Sequence, residues 1–209
     1  WLFPLRNALV VTRLQQLALK DTLTGLGNRR FFDDAFSKAV QFAERKQQPR
    51  ALILLDLDNF KTVNDHHGHH AGDEVLLAVA DAMRQTLRIS DNLFRFGGDE
   101  FLFLVPCMAD NTALNTLALQ LITEVTKPFN IMQTSVTVSG SIGIALAPAD
   151  GTEFNVLCRK ADLAMYKAKE GGKNQYKYYD ADIEQASEDL MTLQSELCLA
   201  IENDEFILE

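Results

Sequence analysis

The sequence predicts an α/β chain of the α+β type, in which helices flank a mostly antiparallel central sheet. Segments with helical and with strand-like patterns alternate along the chain. Residues 93–105 have the pattern of a β-hairpin closed by two glycines, which a wholly parallel sheet would not contain. The 209 residues, 47% of them hydrophobic, suffice for one core of ordinary size.

The helices are predicted from apolar residues that recur at helical spacing. The segment 111–127 stops before Pro128, and Gly171-Gly172 is a plausible C-cap for the segment before it. The predicted helices cover residues 5–19, 29–46, 71–87, 111–127, 153–170 and 180–203.

The strands are predicted from short apolar runs and from segments rich in β-branched and aromatic residues. Residues 21–28 are predicted to be a loop because they are rich in Gly, Asn and Thr. The predicted strands cover residues 51–57, 93–96, 100–105, 136–146, 176–179 and 205–209.

Net charge, cysteine spacing and the length of apolar runs limit the expected partners and compartment. The net charge of −9 argues against a nucleic acid polymer as partner, although a few lysines can still hold one anionic nucleotide. Three widely spaced cysteines without a CxxC motif predict a reduced, cytoplasmic compartment. No apolar run approaches the roughly 18 residues of a membrane span. Contact with a membrane is therefore expected only through parts of a parent protein outside this sequence.

Acidic residues are predicted to meet at one edge of the sheet. Asp56 follows a buried apolar run, where an unpaired charge would cost several kcal/mol. At the hairpin tip, Gly97 and Gly98 let a ligand approach the backbone, and Asp99 and Glu100 follow at once. Such hard oxygen ligands suit Mg²⁺ and metal-assisted phosphoryl or nucleotidyl transfer. Taken alone, the Gly-Gly-acid-acid pattern favours the simpler alternative of a tight turn and a surface aspartate.

A polar stretch follows the first strand. Its Asn64 and Asp73 have the donors and acceptors needed to read the edge of a guanine base. The alternative is a polar loop that caps a helix, with Asp73 near the helix start. His66 and His70 have metal-ligand spacing on a helix, but no zinc motif accompanies them, so a zinc site is not predicted.

Lysines near the end of the fifth predicted helix can hold phosphate oxygens. Lys167, Lys169 and Lys173 surround Gly171-Gly172, without the spacing of a P-loop. The alternative is a solvated basic turn favoured by the helix dipole.

Five collinear motifs make residues 20–180 resemble the GGDEF family. The matching strings are DTLTGLGNRR (21–30), LLDLDNFKTVNDHHGHHAGDEVL (54–76), RFGGDEF (95–101), SIGIA (141–145) and ADLAMYKAKEGGKN (161–174). The string LQSELCLAIENDEFILE (193–209) resembles the lead-in of an EAL phosphodiesterase domain, without its catalytic body. The expected organisation is a connecting helix (1–20), a GGDEF domain (21–180), and a helical linker with the truncated start of an EAL-like domain (181–209).

The resemblance implies a fold like that of polymerase palms and class III nucleotidyl cyclases. It implies that a homodimer condenses two GTP into cyclic di-GMP and two pyrophosphates at a shared site. The implied cofactor is Mg²⁺, with Mn²⁺ as an alternative. The implied metal ligands are Asp56, the carbonyl of Leu57, Asp99 and Glu100, and the implied catalytic residues are Asp99, Glu100 and Lys169.

The resemblance also implies residues that bind nucleotides. For the substrate they are Phe60, Lys61, Asn64, His69, Asp73, Gly97, Gly98, Lys169 and Lys173. Arg88 and Asp91 match the product-inhibition motif RxxD, so cyclic di-GMP is expected to be an inhibitor as well as the product. From spacing alone, an ordinary surface ion pair between them is the favoured alternative.

Two positions depart from the family pattern. Lys173 replaces the usual Arg, so a bidentate phosphate fork becomes a point charge. Asp99 replaces Glu, which shortens the reach to a metal. Neither change removes a charge, and the site is predicted to be intact. The main alternative is a GTP-binding module that regulates an adjacent EAL domain with little cyclase turnover, and a third is a dimerisation domain that binds no nucleotide.

Overall fold

The computed structural model describes residues 18–46, 48–107 and 111–183. The predicted helices at 5–19 and 180–203 lie mostly outside these residues, and the predicted strand at 205–209 lies wholly outside them. No helix in the described ranges is both long and apolar enough to cross a membrane. The helices are α1 (Arg29–Lys46), α2 (Phe60–His67), α3 (His69–Thr86), α4 (Thr112–Thr126) and α5 (Phe154–Glu170). The strands are β1 (Arg50–Asp58), β2 (Asn92–Gly97), β3 (Glu100–Pro106), β4 (Phe129–Ile131), β5 (Thr134–Val136), β6 (Ser139–Ala147) and β7 (Tyr176–Tyr178).

A five-stranded sheet forms the centre, in the order β2-β3-β1-β6-β7. The pairs β2–β3, β3–β1 and β1–β6 are antiparallel, and only the short β7 runs parallel to its neighbour β6. The predicted α+β fold with a mostly antiparallel sheet is thus confirmed. The strand that carries Asp56 is the middle strand of the sheet.

Both faces of β1 are buried. Ile53 and Leu55 face the cluster that includes residues of α3 and α4. Leu52 and Leu54, on the opposite face, pack with residues of α1 and α5. A strand covered on both sides needs no polar alternation, which explains the continuous apolar run in the sequence.

Gly143 allows α5 to lie directly on the sheet. A Cβ atom at this position of β6 would overlap the carbonyl oxygen of Ala161 and meet the amide nitrogen of Met165. The close approach requires a residue without a side chain. It sets the height of α5 above the sheet and therefore the position of the lysines at its C-terminal end.

One strand prediction was wrong, and one helix was not predicted. The predicted strand 136–146 is divided, because β5 pairs with β4 in a separate two-stranded ribbon and β6 begins only at Ser139. A run of β-prone residues does not reveal such a change of partner. The stretch after β1, for which no element was predicted and a polar loop was the alternative interpretation, is the short helix α2, which buries Phe60 and Val63 at helical spacing.

Candidate active site

The carboxylates of Asp56 and Glu100 occupy directly opposite positions on neighbouring strands. Asp56 is the partner of Glu100 in the β1–β3 register. Directly opposite residues on an antiparallel pair project from the same face of the sheet. Lys169, from the last turn of α5, places its Nζ 2.8 Å from Oδ1 of Asp56. Two predicted metal ligands and one predicted phosphate-binding lysine therefore meet at the end of β1.

A backbone hydrogen bond holds Asp99 at the same end of β1. Its carbonyl oxygen accepts a hydrogen bond from the amide of Leu57 at 3.3 Å. The sequence predicted that Asp56 and Asp99 would meet, and the carboxylate of Asp99 lies close enough to help raise the pKa of Asp56. Glu100, which the resemblance implied as a metal ligand and catalytic residue, is the direct cross-strand neighbour of Asp56.

Negative charge is concentrated at this edge. Burial raises the pKa of Asp56, against the opposing effect of its ion pair with Lys169. Burial also raises the pKa of Glu100, and the nearby carboxylates of Asp56, Asp162 and Asp99 raise it further. This edge of the sheet therefore favours a cation, because bringing positive charge close relieves the repulsion between the carboxylates.

The donor set fits Mg²⁺. The available ligands are hard carboxylate oxygens, and the Lys169 ammonium already lies against one of them. Within the described residues, no three or more His, Cys, Asp or Glu side chains are already gathered as a complete metal site. Mg²⁺ commonly takes one or two carboxylates and completes its coordination shell with water and substrate phosphates.

Arg95 clamps the hairpin tip. Gly97 and Gly98 both have positive φ, 144° and 54°, a conformation that favours glycine. Nε and Nη2 of Arg95 donate to the carbonyl of Gly98 at 3.1 and 2.7 Å, and Nη1 donates to Asp21 at 3.0 Å. The sequence contained this arginine in a motif, but nothing in its spacing assigned it a role.

Asp21 joins the loop 21–28 to the same clamp. Its Oδ1 accepts hydrogen bonds from the amide and the hydroxyl of Thr24 at 2.8 and 2.6 Å. Burial alone would raise the pKa of Asp21, but the hydrogen bonds from Thr24 and Arg95 outweigh it and hold the pKa below its usual value. The loop predicted from Gly and Thr content is thus part of the support of the site.

The predicted base-reading residues lie on two successive helices. Asn64 on α2 packs closely against Gly72 on α3. A Cβ atom at Gly72 would overlap the carboxamide oxygen of Asn64. Asp73 follows Gly72 and is exposed. The interpretation of Asp73 as a cap is wrong, because α3 begins at His69 and Asp73 lies in its second turn. The exposed Lys61 and His69 belong to the same two helices.

His66 and His70 do not share one continuous helix. Gly68, with φ of 83°, separates α2 from α3. The i, i+4 geometry that their spacing suggested is therefore absent.

The predicted phosphate-binding lysines take different partners. Nζ of Lys173 donates to Oδ1 of Asn59 at 2.9 Å, and Lys169 pairs with Asp56. Lys167 pairs with Glu170 at 2.7 Å. Only Lys169 and Lys173 therefore contact residues at the end of β1.

Arg88 and Asp91 lie in a different cavity, of about 380 Å³, which Lys20 and Arg84 also line. The carboxylate of Asp91 accepts hydrogen bonds from the Arg88 amide at 2.9 Å and from the Ser90 hydroxyl at 3.1 Å. Asp91 thus binds the backbone of Arg88, and its carboxylate is not bonded to the guanidinium as in the simple ion pair that spacing favoured. The cavity presents three cationic side chains.

Comparisons with known proteins support one family. Residues 18–175 match the sequence model of the family "Diguanylate cyclase, GGDEF domain". The chain is 40% identical over 195 residues to the bifunctional diguanylate cyclase/cyclic di-GMP phosphodiesterase MucR of Pseudomonas aeruginosa. The aligned region covers 93% of this chain and 28% of MucR. It is 39% identical over 199 residues to the cyclic di-GMP phosphodiesterase PdeR of Escherichia coli, covering 94% of this chain and 29% of PdeR. The chain thus spans less than a third of the length of these two relatives.

A solved structure shows the same fold. It is the coiled coil and GGDEF domain of DgcB from Caulobacter crescentus, in complex with cyclic di-GMP. The TM-score is 0.76 and the identity 29%, over 83% of this chain and 92% of that one.

Proposed function

This chain belongs to the GGDEF family of diguanylate cyclase domains, and we propose that it condenses two molecules of GTP into cyclic di-GMP and two pyrophosphates. The observation that carries the proposal is the meeting of Asp56, Glu100 and Lys169 beside the glycine tip of the hairpin. Carboxylates on a rigid sheet, a lysine and an open backbone turn are the groups that phosphoryl transfer requires.

Asp56, the carbonyl of Leu57, Asp99 and Glu100 would hold Mg²⁺, with Mn²⁺ as the alternative. When bound, the ion stabilises negative charge on the phosphates and lowers the pKa of the attacking hydroxyl. Lys169 and Lys173 would bind phosphate oxygens as point charges, and Phe60 and Lys61 lie at the start of α2, beside the same edge. Gly97 and Gly98 would let the phosphates approach the backbone of the tip.

In each of two equivalent steps, the 3′-oxygen of one GTP forms a bond to the α-phosphorus of the other. The bond from that phosphorus to the pyrophosphate oxygen breaks, and the hydroxyl proton passes to a site carboxylate or to water. One protomer binds one GTP, so two protomers must face each other. Much of the rate enhancement then comes from positioning.

Asn64 and Asp73 would select guanine, with His69 nearby. The Asn64 carboxamide offers a donor and an acceptor, and a carboxylate accepts from the N1–H and 2-amino groups of guanine. Adenine lacks that pattern, so a site built around these groups rejects it.

Arg88 and Asp91 would bind cyclic di-GMP as an inhibitor. The cavity around them carries two further cations, which suits a ligand with two phosphates. The complex of DgcB with cyclic di-GMP supports binding of this molecule within the family.

The direct test is incubation of concentrated protein with GTP and Mg²⁺, followed by chromatography for cyclic di-GMP. Formation of that product is expected. Binding of GTP without product would favour the second candidate instead.

The second candidate is a GTP-binding module that controls an adjacent EAL phosphodiesterase domain. It is favoured by the similarity to PdeR and by the EAL-like string at residues 193–209. In this arrangement residues 1–20 connect to an upstream part, 21–180 form the GGDEF domain, and 181–209 lead into the phosphodiesterase. The domain would act in the cytoplasm, and a parent protein could be held at the inner membrane through other parts.

A further inference from the structure

Asp58 differs from Asp56 although the two carboxylates share one face of β1. Asp58 is only 4% exposed. Its oxygens accept hydrogen bonds from the hydroxyl of Ser141 at 2.7 Å, the hydroxyl of Ser139 at 2.8 Å and the backbone amide of Asn174 at 3.2 Å. All three donors are neutral. Asp56, by contrast, faces an ammonium at the cation-binding edge.

The third donor belongs to the loop that carries Lys173. Lys173 and Asn174 both have positive φ, 62° and 48°, a conformation that residues other than glycine adopt only at a cost in energy. Two consecutive residues of this kind persist only where the surroundings hold them. Here the restraints are the bond from the Asn174 amide to Asp58, the bond from the Thr126 hydroxyl to the Asn174 side chain at 3.0 Å, and the bond from the Lys173 amide to the carbonyl of Ala168 at 3.1 Å.

The same restraints orient the Lys173 side chain. Its Nζ donates to Asn59, the residue after Asp58, and Asn59 also has positive φ, 59°. Two adjacent residues at the end of β1, Asp58 and Asn59, thus bind the loop 171–174. Without the Asp58 carboxylate, the Asn174 amide and the hydroxyls of Ser139 and the buried Ser141 would lose their acceptor.

We propose that Asp58 is a positioning residue: it anchors the loop 171–174 to the sheet and thereby places Lys173 for the substrate phosphates. It is not a further metal ligand, because its oxygens accept hydrogen bonds from neutral protein donors. The kinetic part of this inference rests on the proposed function, and its structural part does not.

The structural part is tested without nucleotide by hydrogen exchange of the Asn174 amide. In the wild type this amide is protected by a buried acceptor. In Asp58→Ala we expect exchange to be about fivefold to tenfold faster, the scale of one lost hydrogen bond. Asp58→Asn should stay near wild type, because its carboxamide oxygen can accept from Asn174 and Ser139 while Ser141 turns to accept from its NH₂ group. Asp33→Ala, on the exposed face of α1, is the matched control.

Ser139→Ala makes the test independent of whether Asp58→Ala folds. Ser139 binds the same oxygen of Asp58 as the Asn174 amide does. Its removal should free that oxygen to rotate and should speed exchange at Asn174. If Asn174 exchanges equally in the wild type, in Ser139→Ala and in any folded Asp58→Ala protein, the anchor does not exist.

The kinetic part separates positioning from metal binding. Asp58→Ala should raise the KM for GTP about tenfold with a smaller change in kcat, the pattern of a lost ground-state contact. Asp58→Asn should retain activity within about threefold of wild type, because it keeps the hydrogen bonds, whereas Asp56→Asn should abolish it. If Asp58→Asn is as inactive as Asp56→Asn, Asp58 is a ligand and the proposal is wrong. Absence of product from the wild type would instead count against the cyclase function and leave the exchange result to decide the anchor.

Discussion

The guanidinium of Arg95 joins the carboxylate of Asp21 to the backbone carbonyl of Gly98. The distances are 3.0 Å to Asp21 and 2.7 Å to Gly98, and the arginine side chain is 10% exposed. One side chain thus connects the loop at the start of the domain to the tip of the hairpin that carries the site. Because this fork needs several fixed donors, a lysine cannot replace it.

The first prediction concerns this clamp. Arg95→Ala and Arg95→Lys should both lower kcat for cyclic di-GMP formation by about tenfold or more, because a small displacement of the tip misaligns the reacting groups. Initial rates and circular dichroism would be measured on both variants. Arg45→Ala, at the exposed end of α1, is the control for a surface arginine. Wild-type rates in both Arg95 variants would contradict a role for the clamp.

The second prediction is a pH dependence of stability at Asp21. Its folded pKa lies below the unfolded value of 3.8, so its contribution is present above that value and is lost as the pH falls through the folded pKa. Asp21→Asn should cost about 1 kcal/mol of unfolding free energy at pH 7. The gap to wild type should shrink toward zero as the pH falls well below 3.8. Urea unfolding at pH 7 and at low pH measures both values, and a gap that stays constant with pH would refute the linkage.

The third prediction concerns Asp99. Asp99→Ala should reduce turnover by at least about 10²-fold, the scale of losing one charge-stabilising group. The fold should survive, because the structural contact of Asp99 to Leu57 is made by its backbone carbonyl. Product formation should therefore fall in this variant while its melting temperature stays near that of the wild type. A fully active Asp99→Ala protein would remove Asp99 from the site.

The fourth prediction concerns base selection. A methyl group at Gly72 would occupy the place of the Asn64 carboxamide oxygen. Gly72→Ala should therefore displace Asn64 and narrow the preference for GTP over ATP, as Asn64→Ala should do directly. Polar groups that become buried against a bound base can discriminate by up to about 10⁴-fold, so the change is measurable by calorimetry with both nucleotides. Equal affinity of the wild type for GTP and ATP would refute the assignment.

The fifth prediction concerns the Arg88 cavity. Added cyclic di-GMP should slow the enzyme, and Arg88→Ala should relieve the inhibition without changing GTP affinity. Arg88→Lys should relieve much of it too, because a lysine lacks the fork that binds phosphate or guanine. Product would be titrated against all three proteins in one assay. If the three inhibition curves coincide, Arg88 does not bind cyclic di-GMP and the prediction is wrong.

Much of the fold was predictable because its signals are local. The apolar periodicity of residues 29–46 and the double glycine of the hairpin each depend on a few neighbouring residues, and both predictions are confirmed. The ribbon of β4 and β5 was missed because strand-forming residues do not encode which strand they pair with. α2 was missed because eight residues with two buried apolar side chains give a weak helical pattern.

The sequence by itself determined the α+β class, the family through five ordered motifs, and the residue types that can do the chemistry. Only the tertiary structure decided the individual contacts that those residues make. It places Glu100 directly opposite Asp56 and pairs Lys169 with Asp56. The neighbouring Asp58 instead accepts hydrogen bonds from Ser139, Ser141 and Asn174. In the sequence, Asp56 and Asp58 are equivalent acids at the end of one strand. Their difference comes from partners about 80 to 115 residues away along the chain, and hydrogen-bond geometry at such separations exists only after the sheet has formed.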